Sequence, residues 1–249
     1  MGYYLYAVIA ASDSVPIGLT GLNGAPVFPL VEGNLAAVVS EISERRLRPE
    51  RRLLTAHQGV LRQLLESTTP LPVSFGIVSD DETSSRLLLK HYKEDLQEQL
   101  ERVGGAVEMG LRVRWDVENI FDFLLSRNPE LTELRDQIRD NEASSGPQHQ
   151  SRIELGRMFE RILEAEREQV DDQVSAVLGR ACREIHRSTP RAENDILNLA
   201  CLVDRARQEE FASRIVEAAS GFDVNFAFDY NGPWAPHNFV RLNLEEVTQ

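Results

Sequence analysis

The chain has 249 residues, 42% of them hydrophobic and 27% charged, with a formal net charge of −13. This length exceeds the roughly 100 to 200 residues of a usual domain, so one large domain or two modest ones are expected. Clustered cations are what neutralise a phosphate backbone, and so acidic a chain argues against nucleic acid. No apolar run approaches the roughly 18 residues of a membrane span, the N-terminus has no basic stretch before its apolar one, and two cysteines, Cys182 and Cys201, make no disulfide framework. A soluble, cytoplasmic, α+β protein is expected.

Tyr3 to Ile9 reads as a strand, followed by a glycine-rich loop over Gly18 to Gly24. Val27 to Val31 and Leu35 to Ile42 read as two strands joined at Glu32-Gly33-Asn34. Pro49 suits the start of a helix whose stripe is Leu53, Leu54, Val60, Leu61, Leu64 and Leu65, with His57 on the same face. Pro70 to Val78 reads as a strand, and Ser79-Asp80-Asp81-Glu82 as the capping box of a helix that carries Leu89, Tyr92, Leu96, Leu100 and Val103 and stops at Gly104-Gly105. Val107, Met109, Leu111, Val113 and Trp115 then alternate with Glu108, Gly110, Arg112, Arg114 and Asp116, which predicts a strand with one buried and one wet face.

Helical patterns occupy Ile120 to Leu125 and, after a break at Asn128-Pro129, Leu131 to Ile138. Asp140 to Ser151 has a linker's composition, and one long helix is expected from about Ile153 to Ile185. Ile196 to Val203 reads as a strand. Asp204 can cap a helix carrying Phe211, Ile215, Val216 and Ala219, which Gly221 ends before an alternating strand from Phe222 to Tyr230.

Residues 73–115 and 196–230 share one plan: strand, amphipathic helix, glycine stop, alternating strand. The expectation is a βαβ unit used twice, in two separate sheets with parallel, right-handed crossovers and helices on one side of each. The fold class is α+β, with two lobes built of ferredoxin-like βαβ elements. The N-terminal domain covers 1–116, and the C-terminal domain 117–249 adds a helical extension (117–190) to a βαβ unit (194–244). Acidic charge is concentrated in the second part, since residues 1–116 hold 12 basic and 15 acidic groups and residues 117–249 hold 15 and 25.

No pattern in the chain makes a catalytic, cofactor or metal site. Gly18, Gly21 and Gly24 lack the GK[ST] of a phosphate loop, and a flexible turn is the better reading. Cys182 and His186 stand four apart on the expected helix but have no partner pair. His57 has no nucleophile context, and reads as a partly buried structural histidine. The stretch Tyr230-Asn231-Gly232-Pro233-Trp234-Ala235-Pro236-His237-Asn238-Phe239 reads as a rigid turn pinning a final strand from Phe239 to Leu244, or as an aromatic anchor for a partner. Rigid apolar groups at Pro72, Phe75, Trp234 and Pro236 make the candidate protein-binding surface.

Tyr4-Leu5-Tyr6, Leu35-Ala36-Ala37-Val38-Val39-Ser40, His57 before its leucines, Leu71-Pro72-Val73-Ser74-Phe75-Gly76-Ile77-Val78 and the GPWAPHNF stretch occur in the order seen in the gas vesicle protein F/L family, which the chain resembles over nearly its whole length. Ser74, Ile77, Ala235 and His237 depart from residues common there. The resemblance implies a non-enzymatic accessory or minor structural protein of gas vesicles. Its implied partners are the hydrophobic major shell protein, gas vesicle protein A (GvpA), which it would keep from aggregating during nucleation and assembly, and other accessory proteins; no membrane partner is implied. Competing readings are a ferredoxin-like small-molecule-binding regulatory protein and an enzyme using His57 or the Cys182–His186 pair.

Overall fold

The structure, a computed structural model, describes residues 2–43, 46–145 and 149–242. It falls into two compact units among these residues, one from Met1–Met109, Cys201–Gln208 and Gly232–Gln249, the other from Gly110–Ala200 and Glu209–Asn231.

The first sheet is built on β1 (Gly2–Ala10), a strand buried at every position from Tyr4 to Ile9. The hairpin β2 (Phe28–Glu32) and β3 (Leu35–Ile42) pairs on one side of β1 through β3, and β4 (Leu71–Pro72) and β5 (Val78–Ser79) share the other side. All these pairings are antiparallel. The strand expected over Pro70 to Val78 is therefore two short pieces. Gly76, at φ +99, takes a conformation that strand residues with a side chain avoid, and Ser74 to Ile77 loop out between them. Helix α1 (Arg51–Leu65) follows β3 and buries Leu53, His57, Val60, Leu61, Leu64 and Leu65. Leu54, expected on the same inner stripe, is exposed. The single helix expected from 82 to 103 is broken at Tyr92 into α2 (Glu82–His91) and α3 (Lys93–Val103). The Asp81 carboxylate caps α2 by accepting from the Ser84 N–H at 2.7 Å.

The second sheet comprises β6 (Ala106–Trp115), β7 (Glu184–Ser188), β8 (Asp195–Asp204) and β9 (Phe226–Trp234) in the order β7-β8-β6-β9. Helices α4 (Ile120–Arg127), α5 (Pro129–Ser145) and α6 (His149–Leu178) lie between β6 and β7 in the chain, and α7 (Gln208–Ala219) between β8 and β9. Hydrogen bonds from Trp115 N to Asn194 O and from Arg205 N to Gly105 O place β8 antiparallel to β6. The Asp116 N to Asn225 O bond and the approach of Gly232 to Met109 do the same for β9.

This pairing corrects the expected repeat. Residues 107–115 do not pair with 71–79; they join 195–204 and 226–234 in the second sheet. Neighbouring strands are antiparallel throughout. β8 and β9 run parallel to each other only because β6 lies between them, so β8-α7-β9 is a split βαβ unit of the ferredoxin-like kind. The true repeat is one of topology. The orders β2-β3-β1-β4 and β7-β8-β6-β9 both set the first strand of the set between the third and the fourth. A glycine-rich loop joins the first two strands of one set, and α4 to α6 join those of the other. Helices on one side only were expected, but β1 from Tyr4 to Ile9 and all of β3 except Glu41 are buried, so the first sheet is covered on both faces.

Further elements differ from their sequence patterns. Helix α6 stops at Leu178, before Gly179, and Ile185 lies on β7. Cys182 sits between the two and His186 on the strand, so they are no helical pair. The expected linker is helical through Ser145 and again from His149, and residues 146–148 lie outside the described residues. β9 begins at Phe226, not Phe222, and ends at Trp234. Residues 239–242 form no strand, and the rest of the expected final strand lies outside the described residues.

Burial in the second unit centres on Trp115, 0% exposed, with the Arg167 guanidinium 5.8 Å over its ring. Arg167 also donates to the Asp195 and Glu193 carbonyls at 3.0 Å each, which ties α6 to the start of β8. The buried Asp195 carboxylate accepts from Arg112 Nε at 2.7 Å and from the Arg191 and Ala192 N–H groups at 3.0 Å. Burial pushes its pKa up, but these bonds prevail and hold it below the ordinary carboxylate value. Phe222, Phe226 and Phe228 form a half-buried cluster with centroids 5.0 and 5.3 Å apart. Phe226, on the face that the alternation of this strand would bury, is not fully enclosed. In chemical denaturation, Trp115→Ala should therefore cost about 3 to 5 kcal/mol and Phe226→Ala roughly half as much; equal losses would contradict this ranking.

Candidate protein-interaction site

In the first unit the residues of the expected surface collect around one buried polar network. Tyr4 and Tyr6, two apart on β1, point to the same side, with ring centroids 4.8 Å apart. The Tyr4 hydroxyl is 2.8 Å from His57 Nδ1 and accepts from Gly76 N–H at 3.4 Å. His57 also bonds the Val73 backbone. A carbonyl only accepts, so His57 donates there through Nε2, and its Nδ1 accepts the Tyr4 proton. The Tyr6 hydroxyl pairs with Ser40 Oγ at 2.8 Å and accepts from Leu22 N–H at 2.8 Å. Gly21 is required in this socket, because a Cβ there would stand 1.9 Å from the Tyr6 hydroxyl. The glycine-rich loop is thus packed against the core, where a flexible turn was expected.

Both Tyr4 and His57 are enclosed, at 0% and 2% exposure, and the His57 nitrogens are engaged. This histidine holds structure and is not placed to take a proton from a substrate. Burial first, and the nearby His237 second, lower its pKa from 6.5 to about 4.

Phe75 is half-buried against this network, 5.9 Å from the Tyr4 ring and 6.0 Å from His57. Pro72 is buried in β4 opposite Ala7. After β9 the chain turns into the core of the same unit, where Ala235, Pro236 and Phe239 are buried. Glu108, expected on a wet face, is buried because this turn covers it. Its carboxylate accepts from Asn238 N at 2.8 Å and Asn238 Nδ2 at 2.6 Å. Arg102 donates to the Phe239 carbonyl at 3.3 Å. Trp234 alone of the four expected residues is exposed, at 43%.

Trp234 closes one side of a groove of about 580 Å³ whose other wall is the outer face of α1, with Arg51, Leu54, Thr55, Gln58, Gly59 and Arg62, and Pro49 just before it. Gly59 lies in the helix interior, where glycine costs about 1 kcal/mol relative to alanine. A Cβ there would meet no atom within 4 Å, so the fold does not require the glycine. Sequence reasoning missed Leu54, Gly59 and the two arginines as surface features. The available signals were a glycine inside a leucine-rich helix and the absence of any acid from Arg51 to Leu65.

Fold and site define an α+β protein with two ferredoxin-like sheets and an open apolar groove on its first unit. A family model described as gas vesicle synthesis protein GvpL/GvpF matches residues 2–241. Gas vesicle protein F of Streptomyces sp. (strain CB03234) is 31% identical over 96% of this chain and 100% of its own length, and gas vesicle protein F of Dolichospermum flosaquae is 26% identical over 96% and 98%. The crystal structure of the gas vesicle protein GvpF from Anabaena sp. PCC7120 is similar with a TM-score of 0.86, at 26% identity and coverage of 97% of this chain and 99% of that one. The chain belongs to the gas vesicle GvpL/GvpF family, and its role is a gas vesicle-related, accessory one. Among the described residues no helix is long and apolar enough to cross a membrane.

The His57 network carries a pH signature. Above pH 6.5 the ring is neutral folded or unfolded, and its stabilisation is fully present. Between 6.5 and about 4 the unfolded chain takes a proton that the folded one does not, and stability falls by about 3 kcal/mol. Unfolding free energies at pH 7.5 and 4.5 should differ by that much more in the wild type than in His57→Gln; equal pH dependence would show that His57 titrates as in water.

Proposed function

We propose that the chain holds the hydrophobic major shell protein of gas vesicles, gas vesicle protein A, and assists vesicle nucleation and assembly by keeping it from aggregating. The observation that carries the reading is the apolar groove with exposed Trp234 and Leu54 on a chain of net charge −13. Burial of apolar surface holds a water-insoluble partner. The acidic exterior keeps loaded complexes apart by repulsion. Membership of the GvpL/GvpF family supplies the vesicle context. Of the four rigid apolar residues, Trp234 makes the contact, because it alone lines the groove, while Pro72, Phe75 and Pro236 serve the fold of the first unit.

The test is suppression of shell-protein aggregation, followed by light scattering. The wild type should suppress it with little change from low to physiological ionic strength, where charges are screened beyond about 8 Å. Trp234→Ala should weaken it at least about tenfold, the loss of one aromatic anchor, with an unaltered unfolding midpoint. Absence of suppression by the wild type sinks the proposal, and collapse of affinity with salt would show a partner held by charge.

A further inference from the structure

The outer face of α1 has a charge character unlike the rest of the chain. Arg51, Arg52 and Arg62 stand on it with no acidic residue from 51 to 65, and Arg46 and Arg48 precede it, all exposed. Arg52 donates to Asn23 Oδ1 at 2.9 Å. Arg51 and Arg62 make no ion pair among the described residues, although they line the groove. They lie eleven residues apart, about 16 Å along a helix at 1.5 Å per residue, and Leu54, Thr55, Gln58 and Gly59 sit between them. The groove is thus a mainly apolar floor about three turns long, with Thr55 and Gln58 as its polar members and a cation towards each end. At Gly59 the missing side chain leaves open space that the fold does not use. A glycine so placed lets another backbone come close, and the roughly 16 Å between the two cations matches about three turns of a helix.

We propose that this groove receives an amphipathic helix of the partner protein, with its apolar stripe on Leu54, Gly59 and Trp234 and its flanking carboxylates at Arg51 and Arg62. This is the helix-in-groove mode of recognition. The arginines select the partner's charge and orient it, while the apolar floor supplies affinity. The inference rests on the reading above that the chain holds a hydrophobic protein, and specifies which part of the partner is held.

The probe is a fluorescent amphipathic peptide of about five helical turns, at 3.6 residues per turn, with leucine on one face and glutamate flanking it, compared with a twin carrying lysine at the flanks. Fluorescence anisotropy with the full chain should show at least about a tenfold preference for the glutamate peptide, reversed in the Arg51→Glu/Arg62→Glu variant. Gly59→Ala should raise the unfolding midpoint, because alanine is the better helix former, and yet weaken peptide binding; Gly59→Leu should abolish it. No binding, or equal binding of both peptides, overturns the groove assignment. So does concentration-dependent self-association that Gly59→Leu removes, which would make the occupant a second copy of this chain. Shell-protein aggregation is assayed in parallel. Peptide binding with no suppression of aggregation would leave the groove standing and reject the shell protein as its partner, whereas suppression unaffected by Gly59→Leu would place shell-protein binding elsewhere and overturn the inference.

Discussion

The hydrogen bond between the Tyr4 hydroxyl and His57 Nδ1 fixes more of the first unit than any other contact. Apolar burial alone is non-directional and would let α1 slide or rotate on its sheet by small amounts at little cost. The buried tyrosine and histidine have one good arrangement, and an unmade bond in that setting costs more than a made one contributes. Through Tyr4 the same network reaches Gly76, through His57 it reaches Val73, and through Tyr6 it reaches Ser40 and Leu22. One helix, one hairpin, the glycine-rich loop and the loop between β4 and β5 are thereby placed together. The outer face of α1, where the groove lies, is aimed outward as a result of what its inner face must satisfy.

Local elements were legible wherever one short-range rule sufficed. The hairpin around Gly33, the helix from Arg51, the alternating strand to Trp115 and the stop at Gly105 follow from periodicity and turn chemistry, whereas the capping box read over Ser79 to Glu82 has its cap at Asp81, with Ser79 on β5. Partnership between strands was not legible. The pattern of β6 says that one face is buried but not against which strand, and grouping it with its sequence neighbours at 71–79 applied a tendency that holds only about two-thirds of the time. The strand at Glu184–Ser188 was lost because Ile185 also fits a helical stripe, although Gly179 marked the stop. At the site, Pro72 and Pro236 are apolar and rigid as the sequence says, yet burial is decided by residues far away in the chain. Leu54 failed for the opposite reason, since among the described residues none covers it fully.

The edges of both sheets bear on the same theme. β2 carries Pro29, β4 carries Pro72 and β9 carries Pro233, each lacking the N–H that an added strand would need. Arg86 of α2 donates to the Val31 carbonyl on β2. β7 is five residues long and bears Glu184 and Arg187. These are the devices by which sheets resist edge-to-edge growth. They keep the two sheets from polymerising through their own strands.

Arg205 makes one more point. Its guanidinium donates to the Leu65 and Thr68 carbonyls, satisfying the end of α1 from a position 140 residues further along, and Ala235 completes the core in which Tyr4 and His57 sit. On a ribosome the N-terminal strands emerge long before either residue exists. The α1 terminus must wait uncapped, and its core incompletely filled, until Arg205 and Ala235 have been made. Until then α1 is held only by elements made close to it in time, so the helix that forms one wall of the groove takes its final place after the strands beneath it have formed.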